Sequence, residues 1–206
     1  RLGIVGTGKQ SLPQIAAIHA VRPLKEVLVS SRNPDTRARF AENVTAALGI
    51  AATPVDTLQD AITGMPIVTL ITNSTEPFLD ADMLAKGSHL NAMGAIVPAR
   101  VEFTDGVFDR ADLIAVDSLR SVRDLSAEFQ AHYGEDEAAW AEVRTISSLI
   151  AADETRPEGA DVTLFKAMGM GISDLALGIE ILKRARAKNK GQPVPERVRV
   201  PPRLVS

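Results

Sequence analysis

The chain has 206 residues, of which 45% are hydrophobic and 24% are charged, and its net charge is −3 at pH 7. This composition allows a sizeable globular core, and the negative charge argues against a nucleic-acid-binding protein, which needs a concentrated excess of Lys and Arg. The absence of cysteine excludes disulfides, thiolate nucleophiles and Cys-ligated metals.

The apolar runs, of which residues 67–71 are typical, are far too short to span a bilayer, and no basic segment precedes an apolar one near the start. We therefore expect a cytoplasmic protein that binds neither membranes nor nucleic acid. A basic stretch from Lys183 to Arg203 is interpreted as a helix end followed by a Pro-rich tail. Because the chain opens directly on a strand-like run, we expect a further region upstream of it.

Short apolar runs alternate with helical patterns over the first part of the chain. The predicted strands are residues 2–5, 26–30, 50–55 (the weakest), 67–71, 89–93 and 113–116. One predicted helix carries Leu12, Ile15, Ala16 and His19 on one face, and a second covers residues 36–48. Strands alternating with helices predict an α/β fold, a doubly wound parallel sheet with helices on both faces.

The pattern changes after Asp117, which could be an acid near the site but is interpreted as the cap of a following helix. Helices are predicted over residues 120–131 and 135–151 without a strand between them, so the sheet domain is predicted to cover residues 1–150. Residues 151–206 then form a C-terminal helical segment with an extended tail. Within it, residues 161–168 are extended, and Ser173 caps a helix with Leu175, Ala176, Ile179 and Leu182 on its apolar face, which ends near Gly191.

A glycine-rich turn, Gly6-Thr7-Gly8-Lys9-Gln10-Ser11, follows the first predicted strand and opens a helix. In this context Gly6 permits a tight turn, and Gly8 lets a pyrophosphate approach the backbone N–H groups at the start of the helix. Ser11 replaces the third glycine of the pattern with another small residue. The turn predicts a dinucleotide site, and the alternative is a glycine-rich turn without a ligand.

The end of the second predicted strand determines which dinucleotide is expected. Proteins that bind NAD usually place Asp or Glu there, whereas this chain has Ser31, Arg32 and Asn33. Arg32 can pair with a 2′-phosphate, and Ser31 or Asn33 can donate a hydrogen bond to it. NADP(H) is therefore favoured over NAD(H), the alternative being that Arg32 is a solvated loop residue.

Four segments together resemble the ornithine cyclodeaminase/mu-crystallin family, and the last is the most specific. They are Gly6-Thr7-Gly8-Lys9-Gln10, Thr72-Asn73-Ser74-Thr75-Glu76-Pro77, Leu90-Asn91-Ala92-Met93-Gly94-Ala95 and Asp161-Val162-Thr163-Leu164-Phe165-Lys166-Ala167-Met168-Gly169. The resemblance covers nearly the whole chain. It implies an NAD(P)-binding Rossmann domain, and an upstream region that pairs two subunits into a homodimer and carries much of the substrate site.

The resemblance also implies positions along the cofactor. Lys9 and Gln10 lie along the pyrophosphate, and Thr72 lies near the adenosine or ribose. Met93, Gly94 and Ala95 are implied on the nicotinamide side, and Met168 at the nicotinamide end. Arg100 occupies the place of a family lysine near the cofactor. Gly169-Met170-Gly171 could present further backbone N–H groups, although such a pair is more often a flexible turn.

Cyclodeaminases of this family carry an aspartate where this chain has Ile96, and an aliphatic side chain cannot move a proton. The resemblance then favours an NADP(H)-dependent oxidoreductase that acts on an imine or an α-amino acid. The alternatives are an ornithine cyclodeaminase-like ammonia-lyase that uses NAD and a non-catalytic NADP-dependent binding protein. No catalytic residue is predicted in this chain. No metal is expected either, because His19, His89 and His132 lack metal-ligand spacing.

Overall fold

One parallel sheet of eight strands is found in the computed structural model, which describes residues 1–192 and 194. The strands are β1 (Leu2–Val5), β2 (Glu26–Ser30), β3 (Ala51–Pro54), β4 (Ile67–Leu70), β5 (Ser88–Ala92), β6 (Ala111–Val116), β7 (Arg144–Thr145) and β8 (Val162–Lys166). Their order across the sheet is β3-β2-β1-β4-β5-β8-β6-β7, and every neighbouring pair is parallel. The predicted doubly wound α/β fold is confirmed.

The helices of the described residues connect these strands. They are α1 (Ser11–Val21), α2 (Pro34–Leu48), α3 (Leu58–Ile62), α4 (Gly106–Arg110), α5 (Leu119–Leu125), α6 (Ala127–Tyr133), α7 (Glu137–Trp140), α8 (Ile146–Ala151) and α9 (Gly171–Ala187). A single 3₁₀ turn covers Ala81–Met83. Local signals explain α2: the Asn33 side chain accepts the Thr36 N–H, Pro34 occupies the first turn, and Gly49 ends the helix in the left-handed region at φ 68°.

The strand order reverses at β1, which has β2 on one side and β4 on the other. Hydrogen bonding keeps the three strands in register up to Val5, which lies beside Ser30 and Leu70. Such a switch point opens a crevice at the carboxyl ends of the strands.

The sheet does not end where the sequence analysis predicted. Strand β8, predicted as an extended stretch beyond the sheet domain, lies between β5 and β6, and its Lys166 pairs with Ala92 and Val116. The predicted boundary at residue 150 falls inside α8, and the compact unit extends to Gly169. A strand also separates α7 from α8, although only Arg144 and Thr145 form it, which is too short for a periodic signal.

The predicted helix over residues 120–131 is two helices. Ser126 ends α5 and precedes α6, with extended φ and ψ of −89° and 109°. Its hydroxyl donates to the buried carboxylate of Glu128 at 2.8 Å. The break therefore turns α6 so that Glu128 reaches the interior.

The second compact unit begins at Met170 and contains α9. The predicted cap residues were wrong: Met170 precedes the helix, Ser173 lies within its first turn, and the helix ends at Ala187, before Gly191. The predicted apolar face is present on α9, but none of its residues is buried. The predicted extended tail, with Arg197, Arg199 and Arg203, lies almost wholly outside the described residues. None of the helices in the described part of the chain has the length and apolar character needed to cross a membrane.

A buried ion pair lies at the carboxyl end of β8. The Lys166 ammonium group donates to Glu128 Oε2 at 2.9 Å, and the two side chains are 0% and 1% exposed. Glu128 Oε1 accepts the backbone N–H of Glu102 at 3.0 Å. Removing one member of such a pair leaves the other charge buried without its partner, which is usually far more destabilising than removing both.

Lys166→Met is therefore expected to lower the free energy of unfolding by about 3–5 kcal/mol, because it keeps much of the side-chain volume and leaves Glu128 unpaired. Urea unfolding measures this change. Adding Glu128→Gln to Lys166→Met should restore a large part of it. Arg120→Ala, which removes an exposed pair with Asp124 on α5, should have almost no effect. A Lys166→Met variant as stable as the wild type would contradict the existence of a buried Lys166–Glu128 ion pair.

Candidate functional site

A cleft of about 1280 Å³ lies at the switch point, over the carboxyl ends of β1, β2, β4 and β5. Its volume exceeds the range of about 300–1,000 Å³ typical of small-ligand pockets. Twelve of the fourteen predicted cofactor residues line it: Gly6, Thr7, Gly8, Lys9, Gln10, Ser31, Arg32, Asn33, Thr72, Met93, Gly94 and Arg100. The two others, Ala95 and Met168, do not line it and are buried, at 1% and 7% exposure.

The turn after β1 has the geometry that a bound phosphate requires. Gly6 has φ 114°, and a Cβ there would lie 2.3 Å from the Ile71 carbonyl oxygen, so only glycine fits. A Cβ at Gly8 would have no atom within 4 Å, which leaves this side of the turn open. Among the hydrogen bonds found between described residues, none has the backbone N–H of Gly8, Lys9 or Gln10 as its donor. These donors precede α1 and fit an anion.

Ser11, which replaces the third glycine, is fully buried at the first position of α1. Its hydroxyl has no hydrogen-bond partner in the part of the chain that the structure describes. The residue therefore contributes its small size, which lets α1 pack closely against the sheet, and no contact with the cleft.

The loop after β2 holds the predicted 2′-phosphate residues close together. The exposed Arg32 guanidinium lies 3.4 Å from Asn73 Oδ1, a weak contact that leaves most of its donors free. Ser31 donates its hydroxyl to the Asn33 carbonyl oxygen at 3.3 Å. Asn33 Oδ1 caps α2 by accepting the Thr36 N–H at 2.9 Å, so only the amide nitrogen of this side chain can donate to a ligand.

A second cation, which was not predicted from the sequence, lies in this part of the cleft. Arg39 lines the cleft from α2, together with Thr36, Phe40 and Asn43. These four positions follow the i, i+3, i+4, i+7 spacing of one helix face, which was the available signal. The face begins directly after the Arg32 loop.

Asp56, at the end of β3, also lines the cleft. Its carboxylate is 2.5 Å from the guanidinium of Arg37, which is buried and also donates to the Ser31 carbonyl oxygen at 3.1 Å. Asp56 is the only Asp, Glu or His among the described residues that line the cleft. Because Arg37 neutralises it, the excess charge at this end of the cleft is positive.

The loops after β4 and β5 meet at a carboxylate that sequence analysis did not identify. Glu102 accepts the backbone N–H groups of Thr72, Gly94 and Ala95, at 2.7, 2.8 and 3.2 Å. Ala95 therefore faces Glu102 rather than the open cleft. No local signal marks Glu102, because its partners lie up to 30 positions away in the sequence.

Asp117 does not cap α5; that role belongs to Ser118, whose hydroxyl accepts the Ser121 N–H at 3.2 Å. The Asp117 carboxylate instead accepts the N–H of Met168 at 3.0 Å and that of Gly169 at 2.7 Å. The insertion of β8 beside β6 brings these groups together. Met168 thus supports the loop after β8, and the Gly169 N–H is already occupied.

The three histidines make contacts inside the protein. His19 Nδ1 accepts the Leu24 N–H at 2.9 Å, and His132 lies against Phe108 and 2.7 Å from Asp105. His89 contacts Thr163 Oγ1 at 2.7 Å, and burial lowers its pKa below the usual range. Within the described part of the chain, no three His, Asp or Glu side chains are grouped as a metal site would require.

The model of the ornithine cyclodeaminase/mu-crystallin family matches residues 1–189. A Delta(1)-pyrroline-2-carboxylate reductase of Bacillus cereus is 27% identical over 197 residues, covering 94% of this chain and 60% of that protein. The chain thus spans about three fifths of the length of this relative.

Two solved structures have the same fold. The Delta(1)-pyrroline-2-carboxylate reductase of Thermococcus litoralis, in complex with NADH and L-proline, has a TM-score of 0.86 and 25% identity, covering 94% of this chain and 60% of its own. The iminosuccinate reductase of Paracoccus denitrificans, in complex with NAD⁺, has a TM-score of 0.81 and 26% identity, covering 93% and 58%. With the family model matched over nearly all of its length, the chain belongs to the ornithine cyclodeaminase/mu-crystallin family.

Proposed function

We propose that the cleft holds a nicotinamide dinucleotide, and that the protein is an oxidoreductase acting on an imine or an α-amino acid. The main support is the row of backbone N–H groups at Gly8, Lys9 and Gln10, which have no acceptor among the described residues and lie at the switch point of the sheet. The residues proposed to hold the dinucleotide are the twelve predicted ones that line the cleft. The other two, Ala95 and Met168, donate their N–H groups to Glu102 and Asp117 and so support the loops after β5 and β8. A bound nicotinamide supplies or accepts a hydride.

The charges at one end of the cleft support NADP(H) over NAD(H). Arg32 and Arg39 both line this end, and the one carboxylate there, that of Asp56, is held by Arg37. A 2′-phosphate would therefore meet guanidinium groups, which bind phosphate well. The two solved relatives hold NADH and NAD⁺, so this preference depends on the residues of this chain alone.

The substrate class follows from relatives that share about a quarter of their residues with this chain. Two of them are named for the reduction of a carbon–nitrogen double bond, in pyrroline-2-carboxylate and in iminosuccinate. Such a reduction also needs a proton donor, and among the described residues the cleft offers no free Asp, Glu or His. We propose that this donor lies in a region upstream, which would also form the homodimer.

Imine reduction is tested by measuring NADPH oxidation by the full-length protein with Δ1-pyrroline-2-carboxylate and with iminosuccinate. Oxidation that depends on the imine is expected with at least one of them. NADPH binding without oxidation would favour the binding-protein alternative. A variant with Gly8→Asp, which places a negative charge beside the proposed pyrophosphate, should lose binding and oxidation together, because like charges repel at this turn.

Arg32→Ala is expected to weaken NADPH binding by about 1.5–3 kcal/mol, the range for a hydrogen bond to a charged group. NADH binding should hardly change, because NADH lacks the 2′-phosphate. Fluorescence titration with each cofactor measures both affinities. Arg22→Ala, which removes an exposed arginine outside the cleft, is the control and should change neither. An equal loss for both cofactors would be incompatible with the assignment of Arg32.

Ile96 argues against the ammonia-lyase alternative, because cyclodeaminases of the family have an aspartate at this position. It lines the cleft at 41% exposure and cannot handle a proton at a substrate amine. General acid–base catalysis contributes about 10²- to 10⁴-fold to rate. We therefore expect no appreciable proline formation from ornithine by the full-length protein with catalytic NAD(P). Ile96→Asp alone should not install it, because substrate-orienting residues are also needed. Robust proline formation from ornithine by the wild type would instead favour the ammonia-lyase alternative.

A further inference from the structure

The carboxylate of Glu102 is a buried anion surrounded by hydrogen-bond donors. Glu102 is fully buried, with 0% exposure. Oε1 accepts the Thr72 N–H at 2.7 Å and the Thr72 hydroxyl at 2.8 Å, while Oε2 accepts the N–H groups of Gly94 at 2.8 Å and Ala95 at 3.2 Å. Four donors use the full acceptor capacity of an ionised carboxylate.

The two loops that Glu102 joins are in direct contact. A Cβ at Gly94 would lie 2.2 Å from the Thr72 carbonyl oxygen, 2.3 Å from the Thr72 nitrogen and 2.4 Å from Glu102 Oε1. No side chain fits in this space. The loop after β4 and the loop after β5 can therefore approach this closely only with glycine at this position and with an anion between them.

Glu102 is itself held from both sides. Its N–H donates to Glu128 Oε1 at 3.0 Å, and Glu128 is paired with Lys166. Its carbonyl oxygen accepts the N–H groups of Phe78 and Leu79, at 3.2 and 3.1 Å. The carboxylate is thus fixed by the core and by the chain that follows the Thr72 loop.

These contacts concern one half of the cleft. Strand β5 lies beyond β4 on the side of β1 opposite β2, so Gly94 borders the half of the cleft away from Arg32, whereas the loop after β4 reaches Arg32 through Asn73. Glu102 does not line the cleft. If the dinucleotide lies with its 2′-phosphate at Arg32, the nicotinamide half lies over the loop after β5, which Glu102 joins to the loop after β4.

We propose that Glu102 is a positioning residue for the nicotinamide half of the cofactor site. Its carboxylate fixes the distance between the Thr72 and Gly94 backbones. This distance determines the shape of the cleft surface that faces the nicotinamide nucleotide. A carboxylate is required, because an amide at this position would turn its own NH₂ group toward one pair of N–H donors. This inference rests on the proposed function.

Glu102→Gln tests the role without removing side-chain volume. Hydrogen exchange of the ligand-free protein should quicken by about tenfold or more at the amides of Thr72, Gly94 and Ala95. NADPH should bind about tenfold more weakly, the effect of one lost charged hydrogen bond. Adenosine 2′,5′-bisphosphate, which lacks the nicotinamide half, should bind within about twofold of the wild type.

Asp161→Asn is the matched control. It removes one charge from a two-point contact with Arg110 at the amino end of β8, on the edge of the sheet opposite the cleft. It should lower the thermal midpoint while leaving the ratio of the two ligand affinities unchanged. If Glu102→Gln does not fold, Glu102→Asp is the second variant, because its shorter side chain keeps the charge but cannot reach both loops. It is expected to weaken NADPH binding and to leave the affinity for adenosine 2′,5′-bisphosphate unchanged.

Selective loss of NADPH binding with faster exchange at the three amides supports the role. Equal losses for both ligands, or an unchanged affinity ratio, overturn it and leave Glu102 a purely structural residue. Wild-type protein that binds neither ligand would overturn the proposed function and, with it, the role for the cofactor. Wild-type binding with an unchanged ratio in the variant overturns only the role of Glu102.

Discussion

The pairing of Lys166 with Glu128 is the interaction on which the arrangement of the site depends. An ammonium group buried at the carboxyl end of a central strand requires a charged partner, because an isolated buried charge is too costly. That partner comes from α6, and α6 can supply it only because Ser126 breaks the preceding helix. The free oxygen of Glu128 then holds the backbone of Glu102, which in turn joins the loops after β4 and β5.

The protein treats its loop N–H groups in two different ways. Beside β5 and β8, backbone donors are satisfied from within by the carboxylates of Glu102 and Asp117. At the turn after β1, the N–H groups of Gly8, Lys9 and Gln10 have no such acceptor among the described residues. A buried donor without a partner is costly, whereas one that faces an open cleft can bind water or a ligand. The contrast distinguishes the rigid walls of the cleft from the part that offers free donors to an anion.

The arginines at this end of the cleft also have two different roles. Arg37 is buried and serves Asp56 and the Ser31 carbonyl oxygen, so it supports the loop rather than facing a ligand. Arg32 and Arg39 remain available in the cleft. One arginine thus cancels the carboxylate that would repel a phosphate, and two others provide the positive field. The proposed preference for NADP(H) therefore depends on all three arginines. Of these, only Arg32 was predicted from the sequence, because it follows β2, where NAD-binding proteins usually have Asp or Glu.

The sequence alone determined the features that depend on neighbouring residues. The first two strands were predicted with the bounds observed, and the turn from Gly6 to Ser11 was predicted between β1 and α1, because alternating apolar runs and glycines act within a few positions. The family was recognised because its motifs are contiguous stretches of chain. Tertiary structure decided the rest. The place of β8 between β5 and β6, the partners of Glu102 and the role of Asp117 join residues that are 7 to 74 positions apart. Local periodicity does not report which distant strands become neighbours, and a carboxylate acquires its donors only when the sheet has brought their loops together.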